Sequence, residues 1–300
     1  MTSRLFGAIE AGGTKFICAV GDSSGNISKR VMIPTTTPEE TMPKVFDYFK
    51  EIQKEIKLAS VGIACFGPIE PDPKSLNYGF ITTTPKLPWR NYDIVGKVQK
   101  ALGVPIGFDT DVNGAALGEY RWGAAQGLDT FIYLTVGTGI GGGGMADGKL
   151  LHGLMHPEMG HIFVPHDKQK DPFEGVCPYH KDCLEGLATG PSIQKRWKVK
   201  SALDLPPDHE AWDLEADYLA YAAANYTLIL SPKKIILGGG VMKQQPLFPT
   251  IRKKLIAYLA GYINQSLILE KTDQYIVPPG LGQNSGICGA VALAEKAYGE

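Results

Sequence analysis

The residues best suited to chemistry crowd into positions 156–185, HPEMGHIFVPHDKQKDPFEGVCPYHKDCLE. Five of the six histidines lie between His152 and His180, and Cys177 and Cys183 bracket His180 as C-x2-H-x2-C, with His161 upstream. Four soft or borderline ligands this close together predict a tetrahedral zinc site made by His161, Cys177, His180 and Cys183. Structural zinc sites are closed by Cys and His and leave no position for water. The same residues would otherwise be surface histidines beside two free thiols, and His166 or His156 could replace one ligand. The short, regular spacing favours the metal. Glu158 stands three residues before His161 and Glu185 two after Cys183, so such a knot would fix two carboxylates in space.

A second set of residues suits phosphate. Gly-rich turns at 12–13, 137–144 and 238–240 each end an apolar run. Glycine tolerates the dihedrals that aim backbone N–H groups at an anion and lets it approach closely. One such turn is more often a plain hairpin; three of them, two repeated, predict a nucleotide held in a cleft. The residues concerned are Gly12, Gly13, Gly137, Gly139, Gly238, Gly239 and Gly240, with Thr14, Lys15 and Thr138 adding hydroxyls and a cation where terminal phosphates would lie. None matches G-x-x-x-x-G-K-[ST], which excludes a Walker-type loop. Asp111 follows an apolar strand over 104–108 and precedes a helix starting near Asn113. It therefore sits at the C-terminal edge of a sheet, where α/β proteins place ligands. Capping the helix is the plainer role for an Asp there, and Asp109 is its rival for either role.

The elements that must position these groups alternate. Strands are predicted over 5–10, 16–21 and 31–34, then a helix with Thr37 as N-cap, Pro38 at N1 and Glu40 at N3, running to about Ile56 with Pro43 in its first turns. A strand at 60–65, a helix at 91–102, a strand at 104–109 and a helix at 113–124 follow. The order then restarts with a strand at 130–136, GTGIGGGG and a further strand. Helices at 190–199 and 212–230, a strand at 234–237, a helix at 246–259, a strand at 275–277 and a helix at 285–298 complete an α/β chain. IEAGGTKF and LTVGTGIGGG each place glycines and a threonine between two strands, which predicts two lobes of related topology facing one cleft. The small lobe is 1–112 with 285–300, and the large lobe, 113–284, carries the zinc loop.

Composition bounds the partners. Lys and Arg number 30 against 31 Asp and Glu in 300 residues. This leaves no electrostatic footprint for nucleic acid or an anionic membrane, and a small-molecule ligand is expected. Cys18, Cys65 and Cys288 fall in apolar surroundings and read as buried thiols, which suits a reducing cytosol rather than a disulfide framework. MTSRLFGAIEAGG lacks a signal-type apolar stretch, and no 18-residue apolar segment follows, so a cytoplasmic protein is expected.

AGGTK, FDTDVNGAALGE, TVGTGIGGGG, HPEMGH with its cysteine cluster, and LGGGV occur in the order found in the ROK family of sugar kinases and repressors, which this chain resembles over essentially its whole length. Within that family, EAGGTKF and HPEMGH look most like bacterial fructokinases. The resemblance implies an actin-like, ribonuclease-H-like two-lobed fold binding ATP and Mg2+ in a cleft between the lobes, a structural Zn2+, a homodimer, and fructose phosphorylated to fructose 6-phosphate. Glucose, mannose or N-acetylmannosamine are the alternative acceptors. It implies Asp111 as general base, Glu158, His161 and Glu185 as contacts to sugar hydroxyls, and Gly67 and Pro68 as a turn lining the sugar pocket. His161 would be shared, one ring nitrogen on zinc and the other toward the sugar. Three positions depart from the family pattern. Glu10 replaces an Asp before the first glycine turn, Thr110 an Asn that would touch the sugar, and His180 a cysteine of the zinc cluster. The family's repressors carry an N-terminal helix-turn-helix, whereas here a strand is predicted from Leu5, which disfavours that class.

Overall fold

The computed structural model describes residues 4–299. In chain order it forms β1 (Leu5–Ala11), β2 (Lys15–Asp22), β3 (Ile27–Pro34), α1 (Pro38–Glu55), β4 (Leu58–Cys65), β5 (Phe80–Ile81), β6 (Tyr92–Asp93), α2 (Ile94–Leu102), β7 (Ile106–Thr110) and α3 (Asp111–Trp122). There follow β8 (Phe131–Val136), β9 (Ile140–Ala146), β10 (Lys149–Leu150), α4 (Leu184–Leu187), α5 (Gly190–Trp197) and α6 (Glu210–Leu230). Last come β11 (Ile235–Gly238), α7 (Leu247–Leu259), α8 (Ser266–Leu269), α9 (Thr272–Tyr275), β12 (Ile276–Val277) and α10 (Ser285–Gly299). Contacts gather the chain into two compact units. One comprises the chain up to Gly127, Leu150–Pro157 and the chain from Gly280 onward; the other comprises Leu128–Lys149 and Glu158–Pro279.

The first unit is a five-stranded sheet of order β3-β2-β1-β4-β7, in which β1, β2 and β3 form an antiparallel meander and β4 and β7 run parallel to β1. One face packs on α1 and α2 through Val45, Phe49, Ile94 and Val98. The other is covered by α10, whose Ile287, Ala290, Val291 and Ala294 meet Phe6, Ala8, Ile17 and Ala64. Glycines let α10 come this close: a Cβ at Gly62 would fall 1.8 Å from the Ala290 carbonyl oxygen, and one at Gly289 would fall 1.8 Å from that of Gly114. The break expected at 112/113 therefore falls beyond α3, which lies in the first unit because its glycine face is pressed against α10. Local differences have local causes. Helix α2 starts at Ile94 rather than 91 because the Asp93 carboxylate caps it, accepting from the Gly96 N–H at 2.7 Å, while Tyr92–Asp93 pairs with β5. Thr37 is the N-cap residue of α1 as expected, although its side chain makes no capping bond.

The second unit repeats the arrangement as β10-β9-β8-β11-β12, an antiparallel β8–β9 pair followed by β11 and β12 parallel to β8. Its core joins Ile132, Leu134 and Leu237 to α6 and α7, with Tyr218, Leu219, Ile251 and Leu255 among the buried residues. The glycine turn expected over 137–144 is shorter than that, because Gly141 to Gly144 are strand residues paired with β8. Their smallness serves packing: a Cβ at Gly142 would fall 2.6 Å from both the Leu134 and Met159 side chains, and one at Gly144 2.3 Å from the Phe131 oxygen. Among the described residues, no helix is long and apolar enough to cross a membrane.

Candidate active site and metal centre

In the first unit, parallel registry aligns three strand ends: Ala11 beside Cys65, and Cys65 beside Thr110. Three connections therefore leave one sheet edge together, the turn after β1, the turn after β4 and the start of α3. In the first, the Gly12 N–H donates to the Lys15 oxygen at 3.0 Å and Thr35 Oγ1 donates to the Gly12 oxygen at 2.7 Å, which locks the turn. Gly13 is half-buried, and Thr14 and Lys15 are exposed. Lys86, which carried no signal in the sequence, lies over this turn. A Cβ at Gly13 would fall 3.0 Å from Lys86 Cε and 3.7 Å from its Nζ.

Beside it, the Phe66 N–H donates to the Ala11 oxygen at 2.8 Å and opens the turn through Gly67 and Pro68, both half-buried. His156, buried, accepts from the Ile69 N–H on Nε2 at 3.1 Å and places its ring edge 3.2 Å from where a Gly67 Cβ would be. His156 therefore braces this turn. Burial holds its imidazole below the usual histidine range, which keeps the accepting nitrogen unprotonated.

Asp111 is the first residue of α3, and it does not cap the helix. Thr110 does, its buried Oγ1 accepting from the Asn113 N–H at 3.0 Å. Asp109 is buried and fully occupied: it accepts from the Thr110 N–H at 2.8 Å and the Asn113 Nδ2 at 3.0 Å, and faces His152 Nε2 at 2.9 Å. The Asp111 carboxylate, by contrast, accepts from the adjacent Val112 N–H, at 3.0 Å. Burial, with the Glu10 carboxylate nearby, pushes its pKa up to about 7. Glu10 itself is raised by burial, against the pull of Arg30 and Lys15, and its Oε2 is buried without a hydrogen-bond partner. A half-buried acid poised near neutrality beside an orphaned carboxylate oxygen is the arrangement of a proton acceptor next to a place for a hard cation.

In the second unit, β8 and β11 end together, Thr135 beside Gly238. The turn at Gly137, Thr138 and Gly139 therefore adjoins Gly239 and Gly240: a Cβ on Gly137 would lie 3.8 Å from the Gly240 nitrogen. Gly239 has φ +95°, and a Cβ there would fall 2.3 Å from the Val136 oxygen. The Gly190 N–H, in the first turn of α5, donates to the Gly137 oxygen at 2.9 Å. Thr138, Gly239 and Gly240 are exposed.

Ligand atoms of His161, Cys177, His180 and Cys183 all lie within 4.8 Å of one another. His161 Nδ1 is 3.5 Å from Cys183 Sγ and 3.8 Å from Cys177 Sγ, and His180 Nδ1 is 3.8 Å from Cys177 Sγ. Ligands about 2.0–2.3 Å from zinc in a tetrahedron stand about 3.6 Å apart, so the donors fit that metal in type and spacing. The other two candidates are engaged elsewhere. His166 pairs with Asp182 at 3.0 Å and the Asp171 oxygen at 2.9 Å, and His156 braces the Gly67 turn. With Nδ1 turned to the thiols, His161 points Nε2 at two carboxylates, Glu158 Oε2 and Glu185 Oε1, both at 3.9 Å. Glu185 is anchored further, its Oε2 accepting from the Ile140 N–H at 3.0 Å at the end of the Gly137–Gly139 turn. A gap of 3.9 Å is too long for a hydrogen bond and leaves these groups able to share a polyhydroxylated ligand.

The first unit offers an acid tuned to neutrality beside glycine and proline turns. The second, with the same sheet order, offers two glycine turns and a metal-capable knot flanked by carboxylates. Together they define a two-unit α/β protein equipped for phosphate and polyol chemistry. The chain belongs to the ROK family, whose model matches residues 6–297. It is 46% identical over 293 residues to a fructokinase of Pediococcus pentosaceus, covering 98% of each chain. It is 44% identical over 295 residues to a fructokinase of Zymomonas mobilis, covering 97% of this chain and 96% of the relative. Among solved structures, a ROK family glucokinase from Streptomyces griseus in complex with glucose and AMPPNP matches with a TM-score of 0.77 at 24% identity, over 97% of this chain and 99% of its own, and shares the fold.

Proposed function

We infer that this chain is an ATP-dependent hexose kinase that phosphorylates fructose to fructose 6-phosphate. Its likeness to fructokinases, at 44–46% identity over nearly the whole chain, supports the reaction. The single observation that carries the mechanism is Asp111, an acid that is not spent on its helix and is held near neutrality at a sheet edge shared with a glycine turn. In phosphoryl transfer the protein mostly positions groups and stabilises charge. Asp111 accepts the proton of the 6-hydroxyl as that oxygen attacks the terminal phosphorus of ATP and the bond to the bridging oxygen breaks, with ADP leaving; a base whose pKa lies near the working pH suits the task.

The turns at Gly12, Gly13, Thr14 and Lys15, at Gly137, Thr138 and Gly139, and at Gly238, Gly239 and Gly240 receive the nucleotide's phosphates. Glu158, His161 and Glu185 read the sugar's hydroxyls, with Gly67 and Pro68 shaping its pocket and Thr110 adjoining it. Glu10, whose Oε2 is buried without a hydrogen-bond partner, would offer a hard oxygen donor toward Mg2+, whose charge would offset that of the phosphates. His161, Cys177, His180 and Cys183 would hold a structural Zn2+ that fixes the loop carrying Glu158 and Glu185, without activating water. A homodimer in the cytoplasm completes the proposal. A phosphorylation assay of the purified protein over fructose, glucose, mannose and N-acetylmannosamine with Mg-ATP tests it; absence of sugar-dependent ADP release for every hexose would sink it.

A further inference from the structure

We propose that Lys86 is the cation that holds the phosphoryl group in transit at the Gly12–Gly13 turn, so that it separates ATP from ADP before transfer and sugar phosphate from sugar after it. The proposal rests on the kinase reading above. Lys86 is half-buried, whereas Lys15, the lysine the turn itself supplies, is exposed. Its stem crosses Gly13 so closely that a Cβ there would fall 3.0 Å from Cε. No ion pair or hydrogen bond occupies its ammonium group among the described residues.

The backbone around Lys86 is held. Its N–H donates to Thr84 Oγ1 at 3.3 Å, its carbonyl accepts from the Trp89 N–H at 2.9 Å, and Arg90 Nε donates to the Thr84 oxygen at 2.8 Å. Trp89 is buried, donates from Nε1 to the Thr36 oxygen at 2.7 Å, and packs against Phe16 at 5.2 Å and Phe66 at 5.8 Å. Phe16 follows Lys15 in β2, and Phe66 opens the Gly67–Pro68 turn. One indole therefore ties the Lys86 loop to the turns after β1 and β4, on the sheet edge that also carries Asp111. An ammonium group on a loop so held, beside a glycine that admits close approach, suits an oxyanion bearing two or more charges and has little to offer a neutral hydroxyl. Of the turn's own amides, the Gly12 N–H is spent on the Lys15 oxygen.

The test compares the intact wild-type chain with Lys86→Met and Lys86→Arg, with thermal unfolding as the check on folding. Dissociation constants for ATP, ADP, fructose and fructose 6-phosphate are measured by calorimetry. In Lys86→Met, ATP or fructose 6-phosphate should weaken by about 10- to 100-fold relative to ADP or fructose, which should hardly change. Loss for ATP alone places the contact on the donor's terminal phosphate, and loss for fructose 6-phosphate alone places it on the product. Lys86→Arg should keep most of the discrimination. Unchanged ratios, or equal weakening of all four ligands, would overturn the proposal even if Lys86→Met were inactive. A wild-type chain that neither binds ATP nor phosphorylates a hexose would instead overturn the kinase reading on which it depends.

Discussion

Asp111 has what a base needs at neutral pH, and the residues around it explain how. Thr110 relieves it of capping, Asp109 takes up the neighbouring amides, and burial together with Glu10 raises its pKa to about 7. Asp111→Asn keeps the shape but cannot accept a proton, so kcat should fall by about 10²–10⁴-fold. Sugar and nucleotide affinities should be little changed, the signature of a group used in the transition state; near-normal turnover would place the base elsewhere. In the wild type, kcat/KM should fall as pH drops below about 7, because the protonated acid is inactive. The same shift has a cost in stability. A folded pKa raised from 3.8 to about 7 means that ionised Asp111 opposes folding, so its favourable contribution is present at low pH and lost as pH rises through 7. Asp111→Asn should therefore melt higher than the wild type at pH 8, with the gap narrowing toward pH 5, as scanning calorimetry would record.

At the scale of elements, the molecule relies on two devices of close approach. Glycines seat α10 on the first sheet and on α3, so Gly289→Ala, whose Cβ would fall 1.8 Å from the Gly114 oxygen, should cost about 1–3 kcal/mol or more in denaturant unfolding. The second device is the knot of His161, Cys177, His180 and Cys183. Cys183→Ser should lower the zinc content of the purified protein, read by metal analysis, and raise the KM for fructose by about tenfold or more, since ligand shells that orient a site are worth about 10–100-fold. A Cys183→Ser protein that kept its metal and its fructose KM would remove the knot from the site. Much of this was legible beforehand: C-x2-H-x2-C with His161 upstream names the donor set, and Pro38 after Thr37 marks the start of α1. The close approaches were not. That Gly141 to Gly144 pack a strand rather than form a turn depends on Met159 and Phe131, partners that periodicity does not reveal.

The whole molecule is one sheet order used twice, and that duplication divides the work. Glycine turns between paired strands made the repeat visible in the sequence, as IEAGGTKF and LTVGTGIGGG. The units themselves are interleaved, with Leu150–Pro157 and the C-terminal helix α10 joining the first, and such returns of the chain leave no local signal. Lys86 was illegible for the same reason, since only the burial of Trp89 against Phe16 and Phe66 brings it to Gly13. The proposed base stands in the first unit and the proposed sugar readers, Glu158, His161 and Glu185, in the second. Substitutions should accordingly separate in kinetics. Glu158→Gln and Glu185→Gln should raise the KM for fructose sharply and that for ATP little, because a site that hydrogen-bonds a given hydroxyl set loses affinity when one of those partners no longer matches. The change should also narrow the ratio of kcat/KM for fructose over glucose and mannose, measured under one set of conditions, since the lost carboxylate no longer distinguishes the hydroxyls it read. If both variants lowered kcat for all three hexoses equally and left every KM alone, the carboxylates beside the metal knot would not be sugar readers. If the wild type favoured glucose, the kinase mechanism would stand and fructose would not be its preferred acceptor.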